Sequence, residues 1–177
     1  MRPARKSPLN DIEIGDPNHS YDYAVALLAL RDYTASELRR KLRERGYIEI
    51  AIEPVVEELQ ASNKLNDQRY GFNLVAYRSG RGQGPARIRH ELRRSGLTAE
   101  AIDEAVKGDE APDFLALARA ARARKFGPGI PKDHKERARQ ARFLQYRGFS
   151  TDHIRAVLEG ALDDESGLET GSEPDQS

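Results

Sequence analysis

Apolar residues recur with a helical spacing along the chain, in segments separated by short polar stretches. Leu38 and Leu42 lie one turn apart, as do Ile88 and Leu92, and a glycine follows each of these stripes. Residues three or four positions apart share one face of a helix, whereas a half-buried strand would alternate strictly between apolar and polar residues. No segment sustains such alternation. The pattern therefore predicts an all-α fold without a sheet.

Three glycines mark an internal repeat. Gly46, Gly96 and Gly148 are 50 and 52 residues apart. Relative to each glycine, a leucine stands four residues before, a large apolar residue one after and an isoleucine six after. These positions are Leu42, Leu92 and Leu144, then Tyr47, Leu97 and Phe149, then Ile52, Ile102 and Ile154. A repeat of this period is typical of helical units that stack to bury their apolar faces.

Local signals predict where the helices of each repeat begin and end. Thr34 and Glu37 have the spacing of a capping box, in which each side chain bonds the other residue's backbone amide. Gly46 suits the left-handed position that ends a helix, and Thr98 and Ser150 suit the N-caps of the helices that follow the later glycines. A longer helix precedes each pair, at about residues 21–32, 67–77 and 112–125.

The predicted organisation is three tandem three-helix repeats between two tails. The predicted boundaries are a flexible N-terminal arm at 1–19, repeats at 20–65, 66–110 and 111–162, and a disordered acidic tail at 163–177. Gly, Ser, Pro and acidic residues dominate that tail, and such a composition favours disorder.

Composition adds limits on location and chemistry. A third of the residues are charged and the mean hydropathy is -0.75, so much of the chain is solvated. The longest apolar stretch, Ala24 to Leu30, is far shorter than the roughly 20 residues that a membrane span needs. Cysteine and tryptophan are absent, which excludes disulfides and thiolate metal sites. We expect a soluble, cytoplasmic protein with no membrane partner.

Charge is balanced overall but unevenly placed. Residues 119–147 contain ten Lys or Arg against two acids, and seven acids but no basic residue follow Arg155. A basic middle region followed by an acidic tail suits a protein that binds a polyanion and whose tail can screen its own basic region. In DNA-reading helix-turn-helix motifs the second helix enters the major groove. Here those helices are acidic or neutral, which argues against base readout.

The sequence offers no catalytic constellation, and we predict no catalytic residue, metal site or cofactor. The four histidines are scattered, and no strand precedes the glycine-rich segment 80–85, which favours a helix-to-helix linker over a nucleotide loop. Four aromatic residues near arginines either stack on bases or pack internally, and packing is favoured. They are Tyr77, Phe126, Tyr146 and Phe149.

The central segment resembles the signature of the RecX family of recombination regulators. The resemblance rests on residues 64–67 (Lys-Leu-Asn-Asp), 70–72 (Tyr-Gly-Phe), Arg78 and 82–92 (Gly-Gln-Gly-Pro-Ala-Arg-Ile-Arg-His-Glu-Leu), and it extends over about residues 20–162. Asn66 replaces a usual acid, and Gln140 stands where the third repeat should have an apolar residue. The resemblance implies a curved, elongated array of three repeats that binds RecA-type recombinase filaments on DNA and inhibits their ATP hydrolysis and strand exchange.

Two functional hypotheses follow. The favoured one is a monomeric regulator that docks basic helices along a recombinase–DNA filament. The alternative is a sequence-independent DNA-binding or architectural protein that acts through the same helices, on single- or double-stranded DNA, without a recombinase; an enzyme is a weak third. The predicted interaction residues are Arg78, Arg81, Arg87 and Arg94 in the middle repeat, with Arg39, Arg43, Arg139 and Arg142 as outer anchors.

Overall fold

A computed structural model describes residues 9–10, 12–129, 131 and 133–159. Within these ranges the chain forms nine α-helices and one short 3-10 helix, and no strand, which confirms the all-α prediction. The 3-10 helix is Glu13–Gly15. The α-helices are α1 (Pro17–Leu28), α2 (Ala35–Arg45), α3 (Glu49–Ala61), α4 (Asp67–Gly80), α5 (Pro85–Arg94), α6 (Ala99–Lys107), α7 (Phe114–Phe126), α8 (His134–Arg147) and α9 (Thr151–Glu159). The tail predicted at 163–177 lies outside the described residues.

Most predicted helix ends are confirmed by the backbone. Gly46 follows α2 in the left-handed conformation (φ 113°), and Gly148 follows α8 in the same way (φ 89°). The Thr34 hydroxyl accepts a hydrogen bond from the Glu37 amide at 3.0 Å. The reciprocal half of the predicted capping box is wrong, because the Glu37 carboxylate instead accepts a hydrogen bond from Arg31 at 3.0 Å.

The helices pack as two compact units. Among the described residues, the first comprises residues 9–75 together with Glu91–Ala111, and the second comprises Ala76–His90 together with residues 112–159. The division falls inside α4 and α5, so the second repeat contributes to both units. Fully buried side chains in the first unit include Leu38, Leu42, Ile52, Val56 and Leu59, and the core of the second includes Ile88, Ala118, Leu144, Phe149 and Leu158.

Within the first unit, the turn glycine of the second repeat lies against the start of α2. The Thr34 hydroxyl, at the N-cap of α2, donates to the carbonyl of Ser95 at 2.5 Å. A Cβ added to Gly96 would come within 2.4 Å of the Ser36 side chain, so no larger residue fits there unchanged. Gly96 also has a φ of 83°. Gly96 therefore ends α5 and, because it has no side chain, also allows the start of α2 to pack against it.

The second unit contains an equivalent junction. Gly84, which precedes α5, donates its amide to the carbonyl of Arg147 at 2.8 Å. A Cβ on Gly148 would lie 2.6 Å from the Cβ of Arg87, and a Cβ on Gly84 would lie 2.3 Å from the amide nitrogen of Phe149. The glycine-rich segment 80–85 is thus a helix-to-helix linker, as predicted, and it is also a packing contact between the second and third repeats.

Residues near the N-terminus pack on the first repeat. The backbone amide of Ile48 donates to the carbonyl of Ile14 at 3.0 Å, and Asp16 caps α1 by accepting from the Asn18 amide. Residues 13–19, which the sequence assigned to an arm, are therefore helical or cap a helix, and α1 begins at Pro17.

Gln140 occupies the apolar position of the third repeat and is nevertheless buried, with 3% of its surface exposed. Its side-chain oxygen accepts a hydrogen bond of 2.8 Å from Arg122 of α7, which is also buried. The Arg122 guanidinium donates in addition to the carbonyl of Gly129, and the Gln140 amide donates to Glu136 at 3.1 Å. A hydrogen-bonded pair thus replaces the leucine or isoleucine found at the matching positions of the other repeats.

Candidate polyanion interface

Positive charge is concentrated in the second unit. Residues 76–90 and 112–159 carry fifteen Lys or Arg against five Asp or Glu, whereas residues 9–75 and 91–111 carry eleven against eighteen. The first unit is therefore net negative and the second strongly positive. A surface with such an excess of positive charge attracts phosphate and carboxylate groups.

The end of α4 carries an exposed tyrosine between arginines. The guanidinium carbons of Arg78 and Arg81 lie 5.3 and 4.4 Å from the ring centre of Tyr77, whose surface is half exposed. Such distances are typical of cation–π contacts, which hold an arginine over an aromatic face. Arg147 of α8 donates to the carbonyl of Arg81 at 3.0 Å, so α8 positions this segment.

A second exposed tyrosine lies on α8. Tyr146 has 77% of its surface exposed, and the guanidinium of Arg87 lies 5.7 Å from its ring centre. The sequence favoured internal packing for the aromatic residues near arginines. That interpretation is confirmed for Phe149, which is buried, and is wrong for Tyr77 and Tyr146, whose rings face solvent.

An open groove runs between the end of α7 and the exposed side of α8. We call it the aromatic groove; it encloses about 570 Å³ and is lined by Lys125, Phe126, Arg139, Arg142, Phe143 and Tyr146. Phe126 and Phe143 meet edge to face with ring centres 5.3 Å apart. The guanidinium of Arg139 lies 5.1 Å from the Phe126 ring and 3.2 Å from the Glu136 carboxylate. The groove therefore presents rings among three cations, of which one is ion-paired.

Arginines of the first repeat are engaged by acids of the adjacent helix. Arg39 binds the Glu53 carboxylate through two nitrogens, at 2.9 and 3.0 Å, and Arg43 binds Glu49 at 2.5 Å. The hydrogen bond from Arg43 lowers the pKa of Glu49 below its ordinary value. The acidic α3 thus neutralises two of the cations that the sequence proposed as outer anchors.

The eight predicted interaction residues divide between the units. Arg78, Arg81, Arg87, Arg139 and Arg142 belong to the second unit, and Arg39, Arg43 and Arg94 belong to the first. The prediction omitted Lys125 and Phe143. The signal for Phe143 was available in the spacing of Arg139, Arg142, Phe143 and Tyr146, which places all four on one face of a helix. Lys125 lies on α7, and its place beside α8 depends on how the two helices pack.

Neither a metal centre nor a membrane span is found in the part of the chain that the structure describes. There, no group of three or more His, Asp or Glu residues is arranged to hold a metal ion. No described helix is both long enough and apolar enough to cross a membrane.

Comparison with known protein families shows to which family the chain belongs. Three family models match in tandem, namely the first three-helix domain of RecX at residues 21–59, the second at 66–106 and the third at 112–158. The chain belongs to the RecX family. RecX is a family of regulatory proteins rather than a known enzyme family, and its name is consistent with a role in the regulation of recombination.

Relatives at the level of sequence span most of the chain. The Regulatory protein RecX of Halorhodospira halophila is 46% identical over 144 residues, which cover 81% of this chain and 89% of the relative. The Regulatory protein RecX of Pseudomonas putida is 44% identical over 142 residues, covering 80% and 90% respectively. The similarity therefore extends over about four fifths of this chain and about nine tenths of each relative.

Solved RecX structures share the fold. A crystal structure of RecX from Lactobacillus salivarius matches with a TM-score of 0.70 at 18% identity, covering 86% of this chain and 98% of that one. A crystal structure of another regulatory protein RecX matches with a TM-score of 0.68 at 20% identity, covering 85% and 78%. The helical arrangement is thus shared at low sequence identity.

Proposed function

We propose that this protein binds RecA-type recombinase filaments on DNA and inhibits their ATPase and strand-exchange activities without catalysing a reaction itself. RecX family membership supports the kind of partner. The proposed mode of binding rests on the concentration of positive charge in the second unit, beside two exposed tyrosines. We expect the protein to act as a cytoplasmic monomer.

The interaction residues are proposed in two ranks. Arg81, Arg87 and Arg142 are exposed cations of the second unit and form the first rank, together with Arg78 and Arg139. A guanidinium binds a phosphate or carboxylate through two parallel hydrogen bonds, so these residues suit either DNA or an acidic protein surface. Arg39, Arg43 and Arg94 form the second rank, since the first two already bind glutamates of α3.

A filament-binding assay tests this ranking. Exposed charge contacts contribute up to about 1 kcal/mol each, so Arg87→Gln with Arg142→Gln should weaken binding to recombinase–DNA filaments about tenfold, since about 1.4 kcal/mol corresponds to a factor of ten. Arg39→Gln with Arg43→Gln removes the same charge from the first unit and should cost less. Fluorescence anisotropy with a labelled protein measures both affinities. Equal losses in the two double variants would contradict the ranking.

The alternative function, DNA binding without a recombinase, is supported by the aromatic residues among the cations. Proteins that hold single strands combine a positive surface with rings on which bases stack. This function requires tight binding to bare DNA, with an affinity that falls steeply as salt rises because counterions are released. Negligible binding to naked DNA at physiological salt, beside clear binding to filaments in the same buffer, would rule it out.

A further inference from the structure

The aromatic groove combines an apolar floor with cations that are only partly neutralised. Phe126 and Phe143 are half-buried, whereas Lys125, Arg139 and Arg142 are exposed. Glu136 is ion-paired with Arg139, while no carboxylate is within ion-pairing distance of Lys125 or Arg142 among the residues that the structure describes. A complementary occupant would bring several carboxylates together with a few aliphatic side chains.

The chain itself contains a segment of that composition. Residues 160–177 include six acids and no Lys or Arg. Leu162 precedes Asp163, Asp164 and Glu165, and Leu168 precedes Glu169. The leucines could pack against the aromatic rings of the groove, and the acids that follow them are opposite in charge to its cations. The segment contributes six negative charges next to a unit with a large positive excess.

The segment also starts within reach of the groove. It follows α9, which packs against both α7 and α8, the two helices that form the groove. For comparison, an ideal random coil of eighteen residues has a root-mean-square span of about 23 Å, and the fourteen residues of α8 are about 21 Å long. Covalent attachment over such a span gives an effective concentration of about a millimolar, so weak contacts suffice for docking.

We propose that residues 160–177 dock in the aromatic groove of the free protein, with their carboxylates on Arg139, Arg142 and Lys125 and their leucines against Phe126 and Phe143. The segment then covers cations that a polyanionic partner would bind, and such a partner has to displace it. The docking is a property of the chain alone and does not depend on the function proposed above. A single-stranded polynucleotide suits the same groove, but it lacks the covalent attachment.

A spin label on the segment tests the docking in the full-length chain. Since the protein has no cysteine, Ser166→Cys provides a unique site for a nitroxide. We expect the label to broaden the amide NMR signals of Phe126, Phe143 and Tyr146 at low salt. The broadening should disappear near 1 M salt, where the Debye length is about 3 Å.

Two multiple variants test the docking, one in the segment and one in the groove. In one, Asp163→Asn, Asp164→Asn and Glu165→Gln change only the segment; in the other, Arg139→Gln and Arg142→Gln change only the groove. Each should abolish the broadening, whereas the matched removal of two exposed cations from the first unit, Arg40→Gln with Arg93→Gln, should leave it intact. The proposal is overturned if the label broadens no groove signal. It is also overturned if broadening survives Arg139→Gln with Arg142→Gln, or if only an added single-stranded oligonucleotide perturbs the groove.

Discussion

Gly84 is the residue at which the contact between the second and third repeats is tightest. Its amide donates to the carbonyl of Arg147, and there is no room for a Cβ between it and the backbone of the α8–α9 turn. This explains the order Gly-Gln-Gly-Pro: Gly84 leaves room for the α8–α9 turn, and Pro85 is the first residue of α5. The Gly-Gln-Gly-Pro segment, which is part of the family signature, therefore both links α4 to α5 and packs against the third repeat.

Replacing Gly84 by alanine should lower the free energy of unfolding by about 2 kcal/mol or more, because overpacking of an interior typically costs about 1–3 kcal/mol. Gly80→Ala is the matched control, since Gly80 ends α4 and a Cβ there meets nothing within 4 Å. It should be neutral or stabilising by up to about 1 kcal/mol. Urea denaturation compares the two variants. A similar stability for both would contradict the close contact.

Gln140 and Arg122 should behave as a coupled pair. Gln140→Leu restores the apolar pattern of the repeat but removes an acceptor from the buried Arg122, at a cost of about 2–3 kcal/mol. Replacing both residues, with Arg122→Met added, should recover most of that loss, since a packed apolar pair often matches a buried polar one. A double-mutant cycle in denaturant measures the coupling. Additive effects of the two substitutions would show that the pair is not coupled.

At the level of elements, the acidic α3 and the basic α2 neutralise each other. The ion pairs Arg39–Glu53 and Arg43–Glu49 join the two helices across the turn at Gly46. In α8, by contrast, Arg139 pairs with Glu136 of the same helix. In the first repeat the opposite charges of the two helices therefore meet across the turn at Gly46.

The carboxyl group of Glu49 should titrate below the ordinary range for glutamate, because Arg43 hydrogen-bonds its charged form. The stabilisation from this pair is fully present above the ordinary glutamate pKa and is lost as pH falls through the lowered pKa. Carbon-detected NMR of the carboxyl groups measures the midpoint. In Arg43→Gln the pKa of Glu49 should rise to its ordinary range, while the pKa of Glu44, which Lys41 lowers, should stay low. An unchanged Glu49 midpoint would contradict the pair.

Periodicity was sufficient to predict the helices, because an apolar stripe and its capping residues are local signals. Ile88, Leu92 and the left-handed Gly46 and Gly148 are where the spacing predicted them. Pairing between distant residues was not predictable in this way. The partner of Gln140 lies on another helix, and the neutralisation of Arg39 depends on how α3 packs beside α2. Exposure of Tyr146 likewise depends on which face of α8 is covered.

At the scale of the whole molecule, the charge balance of zero conceals three regions of different sign. The first unit is net negative, the second is positive, and the segment after α9 is again negative. Electrostatic attraction toward a polyanion therefore acts mainly on the second unit. This distribution explains why the first-repeat arginines, although numerous in the sequence, are the weaker candidates for the interface.

We propose that the whole molecule inhibits a recombinase filament through its second unit. The most direct test is a titration of recombinase ATPase activity on single-stranded DNA with the full-length chain, run beside the Arg87→Gln/Arg142→Gln variant. Hydrolysis should fall at substoichiometric amounts of the wild-type protein, and the variant should need about tenfold more protein for the same effect. An unchanged rate of hydrolysis at saturating wild-type protein would contradict inhibition of the filament by this protein.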